Sequence, residues 1–331
     1  MSKGGEAERD MLSTLADLGE WGVISLIRER ISATWSDESV VVIGIGDDCA
    51  VLHHVGDTVI CTDAVVSGTH FQPQWASGHD VGIKVAARNF ADIAAMGATP
   101  TSLLLALVAP ATTTTAWLQD FIDGAISECV RAGAVLVGGD TSRGTELAII
   151  GTAVGHMLAA SPVTRSGSRV GDVIAISGPT GLAATGLAGL SQGKSREMDT
   201  ELVAAQVAPQ PNYAAAKRAA DAGVTSMIDC SDGLISDLTH LAMASGHRFA
   251  IDSSRVPIAT SVQLASAALG LDALHTVFTG GEDHVFLATF ASSEDVPDDF
   301  AIIGSVASGS PEVFVDGQPW HDAGGFEHYR S

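Results

Sequence analysis

Six short segments of the sequence place carboxylates among glycines and apolar residues, where charged side chains are uncommon. The segments read GIGDDCAVL, CTDAVVSGTH, NFADIAAMG, VGGDTSRG, IDCSDGL and TGGEDHVF. Their acidic residues are Asp47, Asp48, Asp63, Asp92, Asp140, Asp229, Asp232, Glu282 and Asp283. An ionised carboxylate among apolar neighbours is unfavourable without a partner. Because oxygen ligands without a histidine or cysteine cluster suit a hard cation, we interpret the segments as a site for Mg²⁺ and substrate phosphates.

Each segment also has a local explanation when it is considered alone. Asp232 or Ser231 could cap the helix that follows Gly233. The other acidic residues could lie in exposed turns at strand ends: Asp47 with Asp48, Asp140, and Glu282 with Asp283. These explanations weaken when the segments are taken together, because glycines let the backbone approach a ligand and the carboxylates recur at strand ends.

Composition limits the fold and the partners. A chain of 331 residues usually forms two domains, and 46% hydrophobic against 17% charged residues indicates a packed globular protein. The net charge is −22, from 17 basic and 39 acidic residues. Nucleic acids and anionic membranes bind mainly through lysine and arginine, so both are unlikely partners for this chain. A phosphate-bearing ligand would need metal ions to offset the negative field.

The cysteines and the apolar runs indicate a soluble cytoplasmic protein. Cys49, Cys61, Cys129 and Cys230 have no C-x-x-C spacing, which favours a reducing compartment. The N-terminal segment has no apolar signal core, and the longest apolar run, residues 103–109, is too short to span a membrane.

The periodicity predicts mixed strands and helices on both sides of a boundary near residue 160. We predict helices over residues 19–34, 80–96, 115–132 and 212–222, and one that follows DCSDGL and ends at Gly246. We predict strands over residues 40–45, 58–62, 102–108, 134–137, 147–154, 173–177, 283–290, 301–306 and 312–315. Connections of hairpin and crossover length are mixed, which favours an α+β fold over a strictly parallel sheet.

Two helix termini receive specific predictions. Asp80 is expected to cap the second helix, and Gly97 is expected to end it in a left-handed conformation. Arg88 and Lys84 precede Asp92 by one and two turns, so a basic stripe shares its face.

A glycine-rich turn follows Ser177 and opens a helix. Its amides could bind phosphate, but close packing is the favoured explanation for its glycines, Gly178, Gly181, Gly186 and Gly189. The sequence contains no P-loop and no protein-kinase motif set, so a conventional nucleotide cradle is missing. His70, in SGTHF, is either a packed histidine or a donor to a substrate oxygen.

Taken in order, the motifs resemble those of the thiamine-monophosphate kinases, within the aminoimidazole-ribonucleotide-synthetase-like group. The matching segments are GIGDDCAVL, TDAVVSGTHF, DIAAMGATP, GGDTSRG, TRSG, IDCSDGLISDL, GGEDHVF and GFEHY, from about residue 20 to 329. The resemblance implies a two-domain α+β fold. Residues 1–160 would form an ATP- and Mg²⁺-binding α+β domain that builds a barrel across a homodimer, and residues 161–331 an α/β domain that covers the active site.

The resemblance also implies roles for individual residues. The magnesium ligands would be Asp48, Cys61, Thr62, Asp63, Asp92, Asp140, Asp229 and Asp232. The ATP contacts would be Gly139, Asp140, Arg165 and Ser231, and the substrate contacts His70, Glu282 and Phe326. Asp232 and Arg165 would be catalytic. Two positions depart from the family pattern: serine is common at Cys61, where a backbone carbonyl could serve instead of the side chain, and tyrosine is common at His284.

The implied reaction converts ATP and thiamine monophosphate to ADP and thiamine diphosphate. The substrate phosphate is already anionic, so direct in-line transfer needs positioning and charge neutralisation more than a strong base. Several Mg²⁺ ions would supply this, with Arg165 and Arg143 or Lys84 adding positive charge. Two alternatives stay open: a purine-biosynthesis enzyme of the same group, and a non-catalytic nucleotide- or metal-binding protein.

Overall fold

The computed structural model describes residues 14–34, 41–43, 51–53, 55–157, 161–194, 199–321 and 325. Asp47, Asp48, Cys49 and Phe326, which the sequence singles out, lie outside these residues. The chain divides into two compact units. The first takes in the described residues up to 93 and from 99 to 157, and the second takes in 94–98 and those from 161 onward.

The first unit combines helices with a sheet. Its helices are α1 (Leu15–Thr34), α2 (Gly78–Ala95) and α3 (Thr115–Ala132), of which the last residues of α2 group with the second unit. Its strands are β1 (Val41–Ile43), β2 (Val51–Leu52), β3 (Asp57–Val66), β4 (Thr99–Ala109), β5 (Val135–Arg143) and β6 (Ala148–Met157). β1 and β2 form a separate antiparallel pair. The main sheet has the order β3-β6-β4-β5, and β4 with β5 is its parallel pair.

Helix α2 covers one face of this sheet at close range. A Cβ atom on Gly151 of β6 would lie 2.3 Å from the side-chain nitrogen of Asn89, and one on Gly82 of α2 would lie 2.1 Å from the Phe121 carbonyl oxygen. Glycine at these positions therefore lets α2 approach both β6 and α3. The opposite face of the sheet is less covered, because Leu104, Ala106 and Val108 are half-buried whereas the alternate residues of β4 are buried.

The second unit is built around a larger sheet. Its helices are α4 (Leu182–Ser191), α5 (Thr200–Val207), α6 (Tyr213–Asp221), α7 (Leu234–Ser245), α8 (Thr260–Leu269) and α9 (Ala273–Thr279). Its strands are β7 (Val173–Ile176), β8 (Ser226–Asp229), β9 (Arg248–Ile251), β10 (Phe286–Phe290), β11 (Ala301–Ala307), β12 (Val313–Val315) and β13 (Gln318–Pro319). The order is β13-β12-β9-β11-β7-β10-β8, and among the described strands β12 with β9 is the parallel pair.

Both faces of this sheet are apolar and packed. Ile174 and Leu287 belong to one buried cluster, which includes residues of α7 and α9. Ala175 and Phe286 belong to a second cluster, which includes the alanines of α6. Successive strand residues point to opposite faces, so this alternation places helices on both sides of the sheet.

The structure confirms some of the predicted element ends and corrects others. Gly97 follows α2 with φ of 73°, as predicted. The predicted cap is wrong: the Asp80 N–H donates to Ser77 Oγ, while Asp80 Oδ2 accepts from the Ser77 N–H, so the serine caps the helix in a reciprocal pair. Several short elements were not predicted, namely β2, β8, β9, β13, α5, α8 and α9. Among the described residues, no helix is long and apolar enough to cross a membrane.

Candidate functional site

In the first unit, β3 and α2 bring together a cluster of side chains that contains two of the predicted carboxylates. Arg88 Nε of α2 donates to Asp63 Oδ2 of β3 at 2.5 Å, and the Arg88 side chain is 10% exposed. Asp63 Oδ1 accepts the N–H of Ala64 at 2.8 Å. Asp92 lies one turn after Arg88, and its negative charge raises the pKa of the Cys61 thiol. Cys61 lies two residues before Asp63 on β3. Asp63, Asp92 and Arg88 are therefore neighbours, and the contact between Arg88 and Asp63 was not predicted.

The Cys61 side chain is turned toward the helix and stays protonated. Its Sγ donates to the Asn89 carbonyl oxygen at 3.2 Å. Burial, followed by the negative charge of Asp92, raises the pKa of the Cys61 thiol. A metal ligand must be the thiolate, and Mg²⁺ prefers oxygen. Only the main-chain carbonyl of Cys61 thus remains as a magnesium ligand.

Thr62 and Asp140 lie on the other face of the sheet. Thr62 pairs in register with Thr152, and its Oγ1 donates to the Gly151 carbonyl oxygen at 2.7 Å. Asp140 pairs with Ala106, which belongs to the half-buried face of β4. Two strands separate β3 from β5, which corresponds to about 14 Å. The structure therefore does not gather Asp140 and Thr62 with Asp63 and Asp92 into one cluster.

Asp63 and Asp140 lie inside strands and not in the turns after them. The sequence predicted strands that stop before Asp63 and before Asp140, whereas β3 continues to Val66 and β5 to Arg143. The explanation of Asp140 as an exposed turn is wrong for the same reason. Polar residues around Asp63 and Asp140 made the two strands look shorter than they are. The register of the sheet sets the positions of both side chains.

Gly139 is required by the backbone of the sheet. Its φ is 150°, which L side chains rarely adopt, and a Cβ atom there would lie 1.8 Å from the Leu105 carbonyl oxygen. The register between β4 and β5 shifts nearby, between Leu103 and Leu104. The glycine therefore brings two strands together directly before Asp140.

His70 follows β3 in a tight turn. Its Nδ1 accepts the N–H of Val66 at 3.1 Å, so a neutral ring carries its hydrogen on Nε2. The side chain is half-buried. This tautomer matches the predicted role as a donor to a substrate oxygen.

In the second unit, two chain segments run side by side and carry most of the predicted residues. The N–H of Glu282 donates to the Ser231 carbonyl oxygen at 2.7 Å, and the N–H of Cys230 donates to the Val285 carbonyl oxygen at 2.7 Å. Asp229 ends β8 and is buried. Gly325 also lies here, because a Cβ atom on it would be 2.0 Å from the Asp232 carbonyl oxygen. The unit therefore brings together Asp229, Ser231, Asp232 and Glu282.

Asp237 is a member of this group that sequence reasoning missed. Its Oδ2 accepts the N–H groups of both Asp232 and Gly233 at 3.1 Å. Gly233 is the residue before α7, so neither Asp232 nor Ser231 caps this helix with its side chain. Burial and the negative charges of Asp229 and Asp232 raise the pKa of the Asp237 carboxyl. An acidic residue in the first turn of the helix was the available signal.

The donor atoms of this group fit a hard cation. Asp232, Asp237 and His240 each offer a ligand atom, and these atoms lie within 4.8 Å of one another. Carboxylate oxygens dominate in both units, which suits Mg²⁺.

The glycine-rich turn before α4 is closed by Asp283. The carboxylate accepts the N–H of Gly181 at 2.6 Å and of Ala183 at 2.9 Å. A Cβ atom on Gly186 would lie 2.1 Å from the Leu202 carbonyl oxygen. These contacts confirm the packing explanation of the glycines. Burial raises the pKa of Asp283 to about 6, so the explanation of this residue as a solvated turn is wrong.

The predicted cations differ in their surroundings. Arg165 is exposed, and among the described residues its guanidinium pairs with no carboxylate. Arg143 is also exposed, at the wall of a cavity of about 330 Å³ beside α1. Lys84 is fully buried on α2. Arg165 and Arg143 are thus exposed to a phosphate in solution, whereas Lys84 is not.

Comparison with known proteins supports a common ancestry over most of the chain. Residues 46–157 match AIR synthase related protein, N-terminal domain, and residues 169–315 match AIR synthase related protein, C-terminal domain. Thiamine-monophosphate kinase of Mycobacterium tuberculosis is 39% identical over 322 residues, which cover 96% of this chain and 93% of the relative.

Solved structures agree with these matches. Thiamine-monophosphate kinase from Stenotrophomonas maltophilia K279a has a TM-score of 0.79 and 30% identity, covering 88% of this chain and 96% of that chain. AaThiL complexed with AMPPCP and TMP has a TM-score of 0.75 and 27% identity, covering 92% of this chain and 97% of that chain. The two-domain α+β fold and the family resemblance are thereby confirmed. The chain belongs to the thiamine-monophosphate kinase family, within the AIR synthase related proteins.

Proposed function

We propose that this protein transfers the terminal phosphoryl group of ATP to thiamine monophosphate, giving ADP and thiamine diphosphate. The observation that carries the proposal is the likeness to AaThiL complexed with AMPPCP and TMP, over 92% of this chain. AMPPCP resembles ATP but has a carbon bridge in place of the last phosphoanhydride oxygen. The identity of 39% to a named thiamine-monophosphate kinase supports the same reaction.

We further propose that the reaction needs Mg²⁺ and that carboxylates within each unit bind it. The ligands would be Asp48, Asp63, Asp92, Asp140, Asp229 and Asp232, with the carbonyl of Cys61 and with Thr62. When bound, Mg²⁺ neutralises phosphate charge and orients the phosphate oxygens. A protein with a net charge of −22 needs such neutralisation to bind two phosphorylated substrates. Asp140 and Thr62 would each serve an ion other than the one at Asp63 and Asp92, because they lie on the other sheet face and on strands about 14 Å apart.

The remaining side chains would bind and orient the substrates. Arg165 has an exposed guanidinium, which suits bidentate contact with a phosphate. Gly139, Asp140 and Ser231 are further proposed ATP contacts. His70 would donate from Nε2 to the thiamine substrate, with Glu282 and Phe326 as further contacts.

The proposed transfer is direct and in line. The attacking oxygen belongs to a phosphate that is already anionic, so no side chain has to remove a proton. Asp232 and Arg165 are the proposed catalytic residues. Their task is to fix the two phosphate groups at attacking distance.

A second copy of the chain is the proposed partner. One sheet face in the first unit carries half-buried or exposed apolar side chains on three strands: Ile60, Leu104, Ala106, Val108, Ile150 and Val154. Ile60 is 66% exposed, on a strand at the edge of the sheet. Exposed apolar surface beside unpaired strand edges favours association with an identical surface. This supports the predicted barrel across a homodimer.

The cytoplasm is the proposed compartment. Cys61, Cys129 and Cys230 are free thiols, which suits a reducing environment.

The test is formation of thiamine diphosphate from ATP, Mg²⁺ and thiamine monophosphate by the purified protein, resolved by chromatography. Asp63→Asn should lower kcat/KM at least about 100-fold, whereas Asp221→Asn, at an exposed helical position, should not change it. A folded protein that makes no product would overturn the proposal. Formylglycinamidine ribonucleotide in place of the thiamine substrate tests the purine-biosynthesis alternative.

Stereochemistry tests the route. With ATP chiral at the γ-phosphorus, a direct transfer inverts the configuration, whereas a phosphorylated enzyme intermediate retains it.

A further inference from the structure

A buried histidine lies beside one of the proposed magnesium ligands. His284 is 1% exposed, and its Nδ1 lies 3.1 Å from Oδ2 of Asp229. An ionised carboxylate only accepts hydrogen bonds, so Nδ1 carries a hydrogen and donates it. Nε2 is also buried, and within the described part of the chain no hydrogen bond reaches it. Nδ1, which faces Asp229, is therefore the ring nitrogen that makes a hydrogen bond.

The backbone fixes this histidine tightly. Its N–H donates to the Cys230 carbonyl oxygen at 2.9 Å, directly after Asp229 in the chain. Its φ is 52°, in the left-handed region that residues other than glycine seldom adopt. Such a conformation is unfavourable and persists only where the surrounding contacts hold it. The surrounding contacts thus hold both the strained backbone and the ring against the carboxylate.

Asp229 has one oxygen engaged and one available. Oδ2 accepts from His284, and among the described residues we find no hydrogen bond to Oδ1. The Asp229 side chain is 6% exposed, so it has little freedom to turn. Which oxygen can meet a cation is therefore decided by the imidazole.

We propose that His284 is a positioning residue, whose Nδ1–H holds Oδ2 of Asp229 and thereby presents Oδ1 to Mg²⁺. The proposal rests on the proposed function, because it assigns Asp229 as a ligand. Hydrogen bonds that orient a metal ligand commonly account for 10- to 100-fold in metal affinity.

The test measures Mn²⁺ binding by electron paramagnetic resonance of the free ion, without turnover. His284→Phe keeps a ring and removes the donor. His284→Asn places an amide N–H near the position of Nδ1, and asparagine tolerates a left-handed backbone. His275→Phe, at an exposed position of α9, is the matched control.

We expect His284→Phe to weaken Mn²⁺ binding at the site that contains Asp229 at least 10-fold. We expect the Mn²⁺ affinity of His284→Asn to lie within about threefold of the wild-type affinity. In an Asp229→Asn background, His284→Phe should have no further effect, because it acts through that carboxylate. Thermal unfolding of each variant checks that it is folded. If His284→Phe does not fold, His284→Gly, which also removes the donor and suits the left-handed backbone, takes its place.

Three results would overturn the positioning role: wild-type Mn²⁺ affinity in His284→Phe, equal losses in the Phe and Asn variants, or additive losses with Asp229→Asn. Because Mn²⁺ binding needs no substrate, a wild-type protein that binds Mn²⁺ but makes no thiamine diphosphate removes the proposed function only. The binding data then still judge His284.

Discussion

Arg88 and Asp63 form a close ion pair between α2 and β3, with 2.5 Å between Nε and Oδ2. The arginine holds the place of a cation beside a carboxylate that is proposed to bind one. Arg88→Met should therefore destabilise the protein without Mg²⁺ by roughly 2 kcal/mol, because a partly buried charge loses its partner. Adding Mg²⁺ should narrow the difference in unfolding free energy between Arg88→Met and wild type. In the variant Asp63 has lost its arginine, so an ion that binds Asp63 stabilises the folded variant more than the folded wild type.

Urea unfolding of Arg88→Met and wild type, each with and without Mg²⁺, measures this difference. Lys217→Met is the control, since its pair with Asp221 is exposed at both ends and should contribute little. An unchanged gap at saturating Mg²⁺ would mean that Asp63 does not meet the ion.

Gly139 and its neighbour Gly138 offer a matched pair for testing the approach of β5 to β4. Both have φ near 150°, and an added Cβ atom meets the Leu105 carbonyl oxygen at 1.8 Å for Gly139 but nothing within 4 Å for Gly138. Gly139→Ala should therefore lower the free energy of unfolding by at least about 2 kcal/mol more than Gly138→Ala. Urea denaturation measures it, and equal losses would show that backbone strain alone requires the glycines.

Much of the fold follows from the sequence because its signals are local. Helix α3 was predicted at its observed ends, where Thr114 caps the start and Gly133 ends it with a left-handed conformation. The short elements β8 and β9 were missed, because a strand of four residues inside a larger sheet is specified by its neighbours more than by its own pattern.

The site was predictable in residue type but not in arrangement. The acidic segments identified Asp63 and Asp140, yet sheet order and register separate them on two faces, and neither is visible from spacing along the chain. His284 and Asp237 were missed as partners of the ligands for the same reason. The bond between His284 and Asp229 joins residues 55 apart in the sequence.

Asp237 is expected to stabilise the turn that carries Asp232. Asp237→Ala leaves two N–H groups without their acceptor and should cost about 2 kcal/mol, whereas Asp237→Asn keeps an acceptor and should cost less than about 1 kcal/mol. The alanine variant should also lower kcat, since the position of Asp232 depends on these bonds. Urea unfolding and steady-state kinetics measure the two effects. Equal stability of the two variants would contradict the role of the acceptor.

Asp283 should make stability depend on pH between about 4 and 6. Its pKa in the folded protein is raised to about 6 from 3.8, so the folded state binds the proton more tightly than the unfolded state. The contribution is therefore fully present below pH 3.8 and is lost as pH rises through 6.

Comparison with Asp283→Asn isolates this contribution, because asparagine does not titrate and keeps one acceptor for the amides before α4. The wild type should lose up to about 3 kcal/mol relative to the variant between pH 4 and pH 7, from a displacement of about two units. Unfolding by urea across this range measures the difference. A constant difference across the range would show that the carboxyl does not titrate there.

The open face of the first unit's sheet makes a prediction about assembly. Ile60 projects from edge strand β3 and is 66% exposed, and a charge at this position would have to be desolvated if two copies met there. Ile60→Asp should therefore give a monomer at concentrations where the wild type is a dimer, as measured by light scattering after size-exclusion chromatography. Leu264→Asp is the matched control, because Leu264 is 69% exposed on α8 of the other unit and should leave the dimer intact. A wild-type monomer, or dissociation by both variants, would mean that this face does not join two copies.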